Sequence, residues 1–270
     1  MIFNHYRQIY PKICLSLFLN LVLFSLPLLA QAQTPNPTNT SKPKPGLGLP
    51  GRRESGGTRG PDSCIDGDVP ILALLLPSTN VGLTTAAYPQ FFWYTPKNTA
   101  KLAQFSLYQI SEPTNRRIQV YTATFKPSSE SGISSLTLPN NRGLPPLGIN
   151  QNYQWTVSMI CNPQDTSPRS VTTVLGWVRR VAVNQDVASQ LQRLNKRDRL
   201  NLYSQQGLWL DLISTLAELR ACNPNDTTLS NTWVSLIKDI GLSQAEAIAQ
   251  QPIQQKCPQL PSSIPTFPPK

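Results

Sequence analysis

The run Gly51-Arg52-Arg53-Glu54-Ser55-Gly56-Gly57-Thr58 comes within one residue of a phosphate-binding loop. That loop needs Gly-x-x-x-x-Gly-Lys-Ser/Thr, because the lysine neutralises the β and γ phosphates and the hydroxyl holds magnesium. Here Gly57 stands where the lysine must be, and a Pro-rich stretch rather than a strand precedes Gly51. The run reads instead as a flexible basic strip in which Arg52, Arg53 and Arg59 are candidates for contact with an anionic partner. Ser235-Leu236-Ile237-Lys238 has the Ser-x-x-Lys spacing of penicillin-recognising enzymes. The Lys-Thr-Gly element of those enzymes is missing, and a helical apolar stripe already accounts for Leu236 and Ile237. Asp62, Asp66 and Asp68 flank Cys64 but lack the Asp-x-Asp-x-Asp-Gly order of a calcium loop, so they read as a solvated turn.

Glycoside hydrolysis needs only two facing carboxylates. Glu112, Glu130 and Asp165 are the acids nearest the expected β-region, and no pair of them has a context that opposes two carboxylates in a cleft. Trp93, Tyr94, Trp155 and Trp177 have the chemistry of a sugar-stacking platform, although aromatics in strands more often form a core. The single histidine is His5. Downstream of it, Ser-His-Asp and Cys-His catalysis and His-containing zinc sites are excluded. No cofactor is expected.

Arg7 and Lys12 precede an apolar core over 13–29, and Ala30-Gln31-Ala32 supplies a small-x-small cleavage pattern. That combination predicts a secretory signal peptide over 1–32, with an uncleaved anchor as the rival reading. No second segment is apolar enough to span a membrane, so no integral span is expected after cleavage. Loss of Arg7 and Lys12 lowers the formal charge from +10 to +8. The balance favours anionic surroundings; without a dense Lys/Arg stripe, nucleic acid is not expected as a partner. Beyond the signal remain Cys64, Cys161, Cys222 and Cys257, none in a C-x-x-C pair. An even count in an exported chain reads as two disulfides with three possible connectivities. Position in the chain favours Cys64–Cys161 and Cys222–Cys257, each worth roughly 4 kcal/mol on the loop-entropy model.

The elements that must carry these residues follow from composition. The segment 33–63 is Pro-, Gly- and cation-rich with only Leu47 and Leu49 as aliphatics, and reads as a disordered linker. From 64 to 183, runs of β-formers alternate with turn clusters, giving candidate strands at 71–76, 91–94, 104–110, 118–125, 133–138, 153–161 and 172–183. In the sixth, Tyr153, Trp155, Val157 and Met159 share one face, with Cys161 in phase. Leu144-Pro145-Pro146-Leu147 followed by Tyr153 looks like the tyrosine corner of immunoglobulin-like sandwiches. Arg179-Arg180 closes the last strand as a further candidate anionic contact. Over 184–250 the period becomes helical, and 196–206 with 208–221, joined at Gly207, resembles one tetratricopeptide-type hairpin. A Pro-rich tail over 251–270 ends the chain.

The chain carries, in this order, Gly57-Thr58-Arg59-Gly60, Phe92-Trp93-Tyr94, Tyr153-Gln154-Trp155, Cys161-Asn162-Pro163, Gly176-Trp177-Val178-Arg179-Arg180 and Leu208-Trp209-Leu210-Asp211. The chain resembles, over roughly 51–250, an exported cyanobacterial family catalogued as domain of unknown function 928. That resemblance implies a cyanobacterial envelope or secreted setting and brings no activity or catalytic residue with it.

The expected protein is mainly β with α: an immunoglobulin/fibronectin-like β-sandwich of about seven strands, followed by a small C-terminal helical unit. The expected function is a non-catalytic interaction module of the periplasm, outer-membrane face or extracellular space, binding another envelope or secreted protein. A module for anionic polysaccharide or cell wall is the alternative, and a histidine-free hydrolase the third reading.

Overall fold

The computed structural model describes residues 51–55, 64–65, 72–111, 114–140, 143–165, 167 and 170–258. The expected signal segment, Gly57, Arg59, the three aspartates around Cys64, and Glu112 lie outside the described residues.

The strands are β1 (Ala73–Leu74), β2 (Val81–Thr84), β3 (Gln90–Thr95), β4 (Leu102–Ser111), β5 (Arg116–Phe125), β6 (Gly132–Thr137), β7 (Asn152–Ile160) and β8 (Val171–Arg180). They form a three-stranded sheet ordered β1-β3-β6 and a five-stranded sheet ordered β2-β8-β7-β4-β5. All pairs are antiparallel except β2 with β8, which is parallel. Each expected strand has a counterpart, though the first shrinks to two residues. The strand β2 was not expected: four residues, Val-Gly-Leu-Thr, carry too little periodicity to stand out behind the turn at Pro77–Asn80.

Side-chain alternation explains how the sheets meet. Ala103, Phe105 and Leu107 of β4 lie opposite Met159, Val157 and Trp155 of β7, so one face of the five-stranded sheet is continuously apolar. Phe91 of β3 reaches across to Trp155 and Phe105, with ring centroids 4.9 and 5.1 Å apart. Trp93 extends the contact to Phe125 of β5 at 6.2 Å. Phe92 and Tyr94 alternate with these residues yet are buried as well, because the second face of the three-stranded sheet is also covered. A strand covered on both faces reads as a continuous apolar run, and Phe91-Phe92-Trp93-Tyr94 is one.

The helices do the covering. They are α1 (Gln185–Arg193), α2 (Lys196–Gln206), α3 (Trp209–Cys222), α4 (Thr227–Asp239) and α5 (Ala245–Ala249). Asn184, Asn195 and Asp226 cap α1, α2 and α4 by accepting from Val187, Asp198 and Leu229 backbone N–H groups. Gly207, at φ 67°, ends α2 in the left-handed conformation that glycine adopts without penalty. The predicted α2–α3 hairpin is present; α5, too short to show a period, was not expected. α3 packs on β2 and β3, and the indole N–H of Trp209 donates to Leu75 O at 2.8 Å. Its apolar stripe joins Leu72–Leu76 and the strand aromatics in one core.

Two corrections concern the segments expected to be loose. Residues 51–55 are built into the fold. Arg52 O accepts from Leu175 N of β8, while Arg53 O accepts from Leu74 N and Ser55 N donates to Leu72 O beside β1. A single stretch thus hydrogen-bonds to both sheets at one margin. Gly51 has no room for a side chain there: a Cβ would stand 2.0 Å from Asn80 Nδ2 and 2.9 Å from Leu175 O. The start of the expected tail is also engaged. Ile253 makes a parallel bridge with Ile133 of β6, with Ile133 N donating to Pro252 O and Gln254 N to Ile133 O. Composition predicts neither, because both segments are held by main-chain pairing rather than by apolar side chains.

Cys64 is bonded to Cys161, with Cα atoms 5.2 Å apart, and Cys222 to Cys257, at 4.8 Å. The first ties the approach to β1 to the end of β7. The second ties the segment after Ile253 to the end of α3.

Candidate interaction site

The described residues among those singled out for chemistry lie in separate places. The Lys238 ammonium donates to Glu246 at 2.7 Å, and this partner holds the Glu246 carboxyl below its ordinary range. The amine is thus engaged by a carboxylate of α5. Asp165 accepts from Ser167 N and Oγ in its own turn at 2.8 and 2.9 Å, and Glu130 is exposed in the β5–β6 connection. Trp93, Tyr94 and Trp155 are at most 2% exposed, which leaves no face for a sugar. Trp177 belongs to a second small cluster with Val81 and Ile110.

The arginine candidates are also dispersed. Arg53 donates to Leu76 O and Ile240 O, both at 2.9 Å. Arg179 donates to Asn152 Oδ1, and Arg180 to Leu147 O and Thr85 O. Of the four candidate arginines that are described, Arg52 alone is exposed. Arg53 and Arg180 thus hold backbone carbonyls of the protein itself, and Arg179 a side-chain amide oxygen.

Sequence reading missed Asp211. It lies in the first turn of α3, where its carboxylate accepts from Thr85 N at 3.0 Å and Thr85 Oγ1 at 2.8 Å. Burial pushes its pKa up, against the lowering pull of the threonine hydrogen bonds. A cleft of about 180 Å³ opens beside it, lined by Thr84, Tyr88, Gln90, Ser214 and Glu218. Glu218 is paired with Lys196 of α2, while both Asp211 oxygens hold Thr85, just past β2, so that Asp211 braces that strand end against α3. Its only sequence signal was the acid in Leu208-Trp209-Leu210-Asp211, which a helix start explains equally well.

The sheet margins differ sharply. An unpaired strand edge presents N–H and C=O groups that can pair with another chain. At one margin of the three-stranded sheet, β1 is two residues long and bridged by Glu54; at the other, β6 is bridged by Ile253. In the five-stranded sheet, β2 is four residues long and its end is tied to Asp211. β5 is ten residues long, about 33 Å, and no described residue pairs with its outer edge. Its inner edge follows β4, with Val120 left over as a bulge between the pairs Leu107–Tyr121 and Tyr108–Gln119. Its side chains are mostly open to solvent, including Ile118 at 40%. Near its C-terminal end a second cleft, of about 220 Å³, separates Phe125 and Lys126 from Ser134 and Ser135 of β6, with Trp93 and Gln254 also lining it.

No curated protein matches this sequence. The family model described as Domain of Unknown Function (DUF928) matches residues 54–253. Those limits coincide with the two outermost bridges of the three-stranded sheet, Glu54 to Ala73 and Ile253 to Ile133. The matched span therefore takes in all the described strands and helices, and the chain belongs to the DUF928 family.

Proposed function

We propose that the protein is an exported, non-catalytic interaction module that binds another envelope or secreted protein by strand addition to β5. The carrying observation is the contrast between margins: three are short or bridged by the chain itself, whereas no described residue pairs with the outer edge of the ten-residue β5. Strand addition is a common mode of peptide recognition, with main-chain bonds giving affinity and flanking side chains selectivity.

The strand order supports an immunoglobulin-like reading of the sandwich. β1-β3-β6 faces β8-β7-β4 as A-B-E faces G-F-C, and β5 is the added strand beyond C. The Tyr153 hydroxyl, at the start of β7, accepts from Gly148 N at 2.8 Å, as a tyrosine corner does. Two disulfides fit an oxidising compartment: periplasm, outer-membrane face or extracellular space. Among the described residues no helix is long and apolar enough to cross a membrane. The anionic-glycan alternative has less support, because Arg53, Arg179 and Arg180 are engaged internally.

The test is site-specific photo-crosslinking in envelope extracts, with the crosslinker at Thr122 or Thr124 of β5 and, as control, at exposed Thr173 of β8. Discrete protein adducts from the β5 positions alone are expected. Equal labelling at all three positions, or none, rejects the β5 reading.

A further inference from the structure

Resting on that reading, the chemistry of β5 narrows its partner. Arg116 and Arg117 open the strand and Lys126 follows its last residue, and no carboxylate lies between them. The Arg117 guanidinium sits 4.2 Å from the centre of the Tyr108 ring, so its charge is held on the outward face of the sheet. Arg116 falls on the opposite face, because successive side chains alternate. Both residues are exposed. From Ile118 to Phe125 the strand has no charged residue and carries Ile, Val, Tyr, Thr and Phe, the types that suit cross-strand packing.

We infer that the occupant of β5 is an extended segment of a partner protein with two consecutive acidic residues beside Arg116 and Arg117, continuing into β-branched or aromatic residues. Consecutive carboxylates on a paired strand point to opposite faces, one toward each arginine, whichever way the strand runs. Two other occupants fit the charges poorly. A second copy paired antiparallel in full register brings Arg116 and Arg117 toward the partner copy's Lys126, like charge against like. The chain's own termini, 1–50 and 259–270, contain cations and no Asp or Glu.

The probes are two synthetic peptides of about ten residues, alternating Thr and Val, one ending in Asp-Glu and the other in Lys-Arg. The full disulfide-bonded protein is titrated with each at low and moderate salt, and amide exchange along β5 is followed. The acidic peptide is expected to bind roughly tenfold more tightly than the basic one. Salt should weaken it, alternate β5 amides on each side of the Val120 bulge should gain protection, and the R116E/R117E double variant should invert the preference. Protection with both peptides equally overturns the acidic partner and leaves strand addition standing. If neither peptide protects β5, strand addition fails and the inference falls with it. Protection without peptide overturns the inference too, in favour of a second copy if it grows with protein concentration and of the chain's own segments if it does not.

Discussion

The Arg53 guanidinium donates to the carbonyl oxygen of Ile240, 187 residues further along, and with the same nitrogen to Leu76 O. Ile240 caps α4, so one side chain from the segment beside β1 closes the open end of a helix. Glu54 adds a parallel tie by accepting from Ser243 N and Oγ. Replacing Arg53 by Ala orphans two carbonyls and should cost about 2–3 kcal/mol in urea unfolding. Arg53→Lys, which restores a charge but not the reach of the fork, should recover only part of it.

Asp211 should make stability depend on pH in a defined direction. Its folded-state pKa is raised, chiefly by burial, above the value of an unfolded aspartate. The folded protein therefore holds this proton more tightly. The group's stabilising contribution is complete below the unfolded pKa and lost as pH rises through the folded one. Thr85 and Thr84 bond the carboxylate, and the nearby Tyr203 hydroxyl feels its charge. Asp211→Asn should flatten this segment of the stability–pH curve. An unchanged slope in urea titrations across the acidic range rejects the assignment.

Removing the Cys222–Cys257 bond should affect a strand that neither cysteine touches. The bond closes a loop of separation 35 and holds the end of the segment that bridges β6. The double Cys→Ser variant should lose up to roughly 4 kcal/mol. It should also speed amide exchange at Ile133, whose N–H donates to Pro252 O. Bared along both β5 and β6, the variant should aggregate more readily than the parent, measured by light scattering.

Tyr153→Phe isolates the corner hydroxyl. The ring stays in the core while Gly148 N loses its acceptor. A loss of about 1 kcal/mol is expected, with faster exchange at Gly148 and no change at β4. Parental exchange at Gly148 in the variant would falsify the corner assignment.

The sequence declared those parts of the fold that depend on apolar side chains at a regular period. Tyr153, Trp155, Val157 and Met159 announce β7, and Gly207 announces the end of α2, because both obey local rules. The pairing of the cysteines followed from their positions. What escaped was held by main-chain bonds between distant segments. Arg52, Arg53 and Ser55 look like linker residues until β1 and β8 are beside them, and Pro252–Gln254 look like tail until β6 is. β2 escaped for the same reason: its partner lies nearly a hundred residues away in a parallel register that no local pattern encodes. Asp211 has an ordinary place in a helix start, and only the arrival of Thr85 makes it a brace. The β5 edge was legible as a strand, but its bareness is a property of the whole sheet.

The two disulfides also decide which part of the molecule can carry tension. A pull on the chain ends passes into Cys64, crosses to Cys161, runs along the backbone to Cys222 and leaves through Cys257. β1 to β7 fall inside the first covalent loop, and α4 and α5 inside the second. Only β8 and α1 to α3 lie on the loaded path, so β5 is mechanically bypassed. A protein stretched between two anchors can pay out that short central stretch and still keep β5 tethered inside a covalent loop, off the line of force.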